Sequence, residues 1–135
     1  MPLKFSVAVR NARLDAIETA IGANAILRIR SGSVPTNVSD ADSGTVLATL
    51  NLPSDWMAAA SGGSKAKSGT WEDASADATG TAGHWRLYAS DGTTVHAQGN
   101  ITATGGGGDM TVNNTSLASG QPFTVTAFTL TDGNA

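Results

Sequence analysis

The chain has 135 residues, the span of one domain around one core, which leaves little room for an enzyme with a separate regulatory module. Charged residues make up only 14% and the net charge is −3, with no basic block anywhere, which argues against capture of nucleic acid or of an anionic membrane. Cysteine is absent, so disulfide scaffolds, thiolate zinc sites and thiol catalysis are excluded, and the longest apolar run, Trp56 to Ala60, falls far short of the roughly 20 residues of a membrane helix. No apolar run follows Lys4 to make a signal peptide, so synthesis in the cytoplasm is expected.

The first element is a helix over residues 6–22, capped by Ser6 at its start and by Gly22 at its end. Leu14, Ile17 and Ile21, spaced three and four apart, form the apolar stripe expected to lie against a sheet. Val9, Ala16 and Ala20 share another side with Arg13, and Arg10, Arg13, Asp15 and Glu18 read as a solvated face without an ion-pair role. After Gly22 the period changes from 3.6 to 2. Ala25 to Arg30 places Leu27 and Ile29 on a buried face and Arg28 and Arg30 on the other. A loop rich in Ser, Asp, Asn and Pro follows from Ser31 to Gly44. Residues 45–52 then form a second strand, ended by Pro53, which cannot donate a ladder hydrogen bond.

Ser54 to Met57 reads as a capped turn of helix, and 58–68 as a mobile loop leading to a strand near Lys67 to Trp71. The Asp91-Gly92 turn joins two strands, Ala82 to Ala89 and Thr94 to Ile101, in the strongest short-range hairpin signal of the chain. Gly105 to Gly108 reads as a flexible loop, since no Lys-Ser/Thr pair follows and Asp109 stands where a phosphate would sit. Pro122 to Thr131 closes the chain as one long Thr-rich strand. Short strands punctuated by Gly, Asn and Asp turns, with no helix between them, predict a mainly β fold. It is a β-sandwich or jelly-roll-like domain of residues 25–131 with one N-terminal α-helix, in a single domain of 1–135.

Chemistry-bearing patterns are few. Asp40-Ala41-Asp42-Ser43-Gly44 begins like an oxygen-ligand loop, but Leu50 stands where an EF-hand needs its bidentate acid, so a turn is the expectation and no metal is assigned. Glu72, Asp73 and Asp77 read as a solvated loop. In either register of the Asp91-Gly92 turn, His84 and His96 cannot share a metal, and neither has a partner that would make it catalytic. No catalytic residue and no cofactor is assigned. Trp56 and Trp71 either fill the core or anchor an interface, and Trp56, Met57 and Trp71 are the residues expected to contact a neighbour. Low surface charge is tolerated best by a protein packed against copies or neighbours.

Several stretches carry a resemblance: Val7 to Glu18, Leu52-Pro53-Ser54-Asp55-Trp56-Met57, Gly69-Thr70-Trp71, Thr79 to His84, and Phe128-Thr129-Leu130-Thr131. Together they resemble a family of small virion proteins of tailed bacteriophages. By size and β-sandwich character the chain is similar to capsid cement or decoration proteins, which lie over joints of the major capsid lattice. The resemblance implies a non-enzymatic structural protein of the capsid surface, a dimer or trimer in contact with the major capsid protein and its own copies. Two alternatives remain open: a tail or head-fibre component, and a carbohydrate-binding module using Trp71, Trp85 and Tyr88 as a platform.

Overall fold

The computed structural model describes residues 3–133. The helix α1 spans Val7–Ile21, with the Ser6 hydroxyl accepting a hydrogen bond from the Val9 amide at 3.2 Å and Gly22, at φ 93°, closing the end. Ten strands follow: β1 (Ile26–Ser31), β2 (Val46–Asn51), β3 (Ser64–Ala66), β4 (Trp71–Asp73), β5 (Gly80–Tyr88), β6 (Val95–Ala103), β7 (Met110–Val112), β8 (Ser116–Leu117), β9 (Phe123–Val125) and β10 (Thr129–Thr131). The principal sheet has the order β2-β1-β5-β6-β7, with β8 pairing the start of β5. Two small ribbons, β10-β3 and β4-β9, complete a mainly β, sandwich-like fold with one helix near the N-terminus.

Alternation places Leu27 and Ile29 of β1, Ala48 and Leu50 of β2, and Trp85 and Leu87 of β5 on one face of the principal sheet. This face meets Trp56, Trp71, Phe123, Val125 and Phe128 in one core cluster. Trp71 lies 5.6 Å from Phe128, which meets Trp85 edge to face at 5.5 Å.

The β5–β6 hairpin forms at the expected place, and its register explains both histidines. Tyr88 pairs with Val95 next to the turn, and a bulge between Leu87 and Tyr88 then shifts the ladder by one residue, so that His84 faces Asn100. His84 is fully buried and His96 is exposed.

Four local expectations are corrected. Ser54 to Met57 forms a bend, with Met57 bridged to Lys67, instead of a turn of helix. The segment 58–63 is fastened to α1, as described below, and is no free loop. The final stretch divides into β9 and β10, which join different ribbons. Phe123 and Val125 face the core two apart, but Thr126 and Ala127 are both exposed before Phe128 resumes it, and this extra residue shifts the phase. Gly105 to Gly108 forms a compact ring. The Gly108 amide donates to Thr102 Oγ1 at 3.0 Å, and a Cβ on Gly106 would lie 2.8 Å from Thr102 Cβ. That tight return lets β7 run parallel to β6 after only a short connection, where parallel neighbours ordinarily need a dozen residues or more.

Candidate functional site

Helix α1 docks through a mixed side, on which Leu14 and Ile21 are buried beside a row of polar residues. Asn11, Asp15 and Glu18 follow one another at helical spacing, and each accepts a backbone N–H from the 57–63 segment. Gly63 donates to Asn11 Oδ1 at 2.9 Å, Ala60 to Asp15 Oδ1 at 2.9 Å and Met57 to Glu18 Oε2 at 3.3 Å. These amides lie outside the strands, so the helix supplies the acceptors that a ladder would otherwise give them. Lys65 of β3 completes the contact. Its ammonium is buried between Asp15 at 2.7 Å and Glu18 at 2.9 Å and also donates to the Ala58 carbonyl. Burial alone would lower the Lys65 pKa, but the hydrogen bonds from its ammonium to the two carboxylates outweigh it and raise the pKa above the usual value. The Lys65 hydrogen bond chiefly, together with the Ala60 amide, lowers that of Asp15. At the other end Arg10 donates to the Asp132 carbonyl at 3.0 and 3.2 Å, and Arg13 pairs with the Asp132 carboxylate at 3.1 Å.

The solvated-face reading of Arg10, Asp15 and Glu18 is therefore overturned, and Arg13, though exposed, does have an ion-pair partner. Leu14 and Ile21 are buried as expected, but Ile17 is 40% exposed. The side turned to solvent carries Val9 (43% exposed) and Ile17, with Ala8, Ala12, Ala16 and Ala20 also exposed; Val7 and Leu3 are exposed at the start of the chain, off this side. Arg13 and Thr19 are its polar members.

A second polar construction covers the outer face of the principal sheet, where Arg28, Arg30, His84, Arg86 and Tyr88 stand together. The face that carries Arg28 and Arg30, opposite the core, is covered as well, because the 31–44 segment is strapped across it. Arg86, wholly buried, donates to the carbonyls of Asn37, Val38 and Asp40, to the Asp42 carboxylate at 2.7 Å and to Gln98 Oε1. Asp42 also takes Arg30 at 3.0 Å and the Tyr88 hydroxyl at 2.7 Å. Partial burial opposes its ionisation, but the hydrogen bonds from Arg86 and Tyr88 and the two guanidinium charges prevail and lower the pKa. Asp42 is thus the strap's anchor. His84 is held neutral chiefly by burial, and the charges of Arg30 and Arg86 act the same way against the opposing hydrogen bond to the Gly32 carbonyl.

The residues expected at an interface lie elsewhere. Trp56, Met57 and Trp71 are each 1% exposed and belong to the chain's own core. The Trp56 indole donates to the Gly22 carbonyl at 2.9 Å and that of Trp71 to the Trp56 carbonyl at 3.1 Å, so even their polar edges are committed inward. Of the two roles open to Trp56 and Trp71 the fold shows the core one, and Met57 joins them there, so at 1% exposure the three present almost no surface to a neighbour. The carbohydrate platform fails for the same reason, with Trp71, Trp85 and Tyr88 at 1%, 5% and 0% exposure. The acidic loop is also engaged, since Asp73 accepts the Thr49 amide and Asp77 the Thr49 hydroxyl, both at 2.8 Å, fastening β2. Among the described residues no group of three or more His, Asp or Glu side chains is placed to hold a metal. No family model, curated protein or solved structure matches the chain.

Proposed function

We propose that the chain is a structural protein of a bacteriophage particle, bound to the capsid surface as a cement protein in contact with the major capsid protein and with its own copies. The observation that supports this reading is the outward apolar side of α1. A helix held by Leu14, Ile21 and its polar row presents Val9, Ile17 and a row of alanines to solvent, where their exposed area becomes favourable only once a neighbour covers it.

The magnitude is modest. Covering Val9 and Ile17 contributes on the order of 2 kcal/mol and the exposed alanines less, which is weaker than millimolar affinity even before the costs of association are subtracted. One such contact is too weak to hold a copy in place. A dimer or trimer that engages the lattice at several points gains avidity, and each bound copy then stabilises the intact lattice relative to the ruptured one.

Quantitative mass spectrometry of purified particles, separated into heads and tails, tests the reading. Hundreds of copies in the head fraction are expected. Recovery with tails would transfer the protein to the fibre or tail reading, and absence from particles would end the structural one. The helix contact is tested separately by Ile17→Asp, which should release the protein from heads while leaving its melting temperature within a few degrees of the parent.

A further inference from the structure

A cleft of about 270 Å³ opens where the loop after β7 meets the start of β9. Its floor is apolar and buried: Ala76, Val112, Leu117 and Phe123. Its rim is formed by Asn113, Asn114, Ser116, Gln121, Thr124 and Thr126, all exposed, and no titratable side chain lines it. We infer that this cleft binds a single ring of a neutral sugar, the terminal residue of a glycan.

Three features converge on that ligand class. An anion or cation entering the cleft would find no counter-charge to offset its desolvation. A purely hydrocarbon ligand would cover amides and hydroxyls without satisfying them. A neutral sugar has both requirements at once, hydroxyls around its edge for the amide rim and C–H groups on its face for the floor beside Phe123. The volume lies just below the roughly 300–1,000 Å³ of pockets for drug-sized ligands, which suits one ring and not a chain.

The rim is also set in advance. Ala76 donates its N–H to the Gln121 carbonyl at 2.7 Å, and Gly120 donates back to the Ala76 carbonyl at 2.9 Å. The Ser119 amide is held by Thr79 Oγ1 at 3.0 Å, and the turn passes through Gly120 at φ 85°. Asn114 accepts the Ser116 amide on Oδ1, which orients its amide group and leaves Nδ2 as a donor. Backbone restraint of this kind lowers the entropy lost on binding. The inference stands on the cleft alone and does not depend on a place in the capsid.

Titration of the ¹⁵N-labelled protein with methyl glycosides of neutral hexoses and N-acetylhexosamines, followed by amide chemical shifts, is the test. Saturable shifts confined to residues 112–126 and Ala76 are expected, with a dissociation constant on the order of millimolar for a ligand of this size. Gln121→Ala and Asn113→Ala should each weaken binding about fivefold or more while the rest of the spectrum stays in place, and methyl glucuronide should give no saturable shift. No saturable shift with any neutral glycoside, equal binding of the glucuronide, or shifts that survive both substitutions would overturn the inference.

Discussion

Replacing Arg86 by Met removes the side chain that holds the 31–44 strap while keeping much of its volume. The guanidinium serves three strap carbonyls, the Asp42 carboxylate and Gln98 from a position with no exposure. Breaking a buried charge network by removing one partner costs about 3–5 kcal/mol, because the groups left behind lose their hydrogen bonds without regaining water. Here the loss is tempered on one side, since Asp42 is 37% exposed at its side chain and keeps Arg30 and Tyr88. For a domain of this length the expected fall in melting temperature is about 10–20 °C. The location of the damage is the sharper readout. Hydrogen exchange should accelerate at the Asp40 amide, which bonds the Asn37 carbonyl, and at the Asn37 amide, which bonds Asp40 Oδ2, before the β1 and β5 ladder amides change. Asp42→Asn should be non-additive with Arg86→Met by about 1–3 kcal/mol. A melting temperature within about 3 °C of the parent, with unchanged exchange at residues 37–42, would refute the strap as a structural unit.

His84 has a folded pKa below its unfolded value of 6.5, so the unfolded chain binds the extra proton. Stability should therefore be full above pH 6.5 and decline as pH falls below it, and His84→Gln should flatten that decline in denaturant titrations between pH 7 and 5. Asp42 is also lowered, from 3.8, and its contribution is present above that pH and lost below it, so a second drop in acid should disappear in Asp42→Asn. Lys65→Met leaves Asp15 and Glu18 without their shared cation. It should loosen α1, read as a lower far-ultraviolet helical signal and a melting temperature reduced by about 5 °C. Gly99→Ala would set a Cβ 2.8 Å from both Trp85 Cζ2 and Asp109 Oδ2. It should cost about 1–3 kcal/mol in denaturant titrations and shift the Trp85 emission.

What the sequence made legible is what depends on neighbours in the chain. Ser6 and Gly22 act on their own helix, and Asp91-Gly92 acts on two adjacent strands, so both features form where local chemistry puts them. The division of the last strand was legible too, in the three-residue step from Val125 to Phe128 where alternation requires two, but the run of threonines disguised it. The roles of Asp15, Glu18 and Lys65 were not legible, because residues about 50 apart meet only after β3 has folded back on α1. Nor was the strap: Arg86 and Asp42 lie 44 positions apart, and an arginine on the polar side of an alternating strand has the same pattern whether water or a loop covers it. The sequence leaves Trp56 and Trp71 open between core and interface because most of their neighbours in the chain are polar or small; the fold puts both in the core, with their ring centres 6.1 Å apart and Trp71 on Phe128.

The orientation of α1 follows from the segment it covers. Residues 57, 60 and 63 present amides toward the helix from a stretch with few strand partners, and leaving them buried without acceptors would cost about 1–3 kcal/mol apiece. Turning the helix by half a revolution would bury Val9 and Ile17 but strand those amides and the Lys65 ammonium. The gain from burying Val9 and Ile17, about 2 kcal/mol, would be cancelled by exposing Leu14 and Ile21, which are buried in the docked orientation, so the loss of three amide acceptors and a buried cation's partners would stand uncompensated. The observed docking, polar contacts together with buried Leu14 and Ile21, therefore wins within the monomer on its own terms, and the exposure of Val9 and Ile17 is its consequence. This separates two effects that substitutions on α1 can distinguish. Changes at Asn11, Asp15 or Glu18 should reduce folding stability, whereas changes at Val9 or Ile17 should leave it intact and act only on what the helix touches outside the chain.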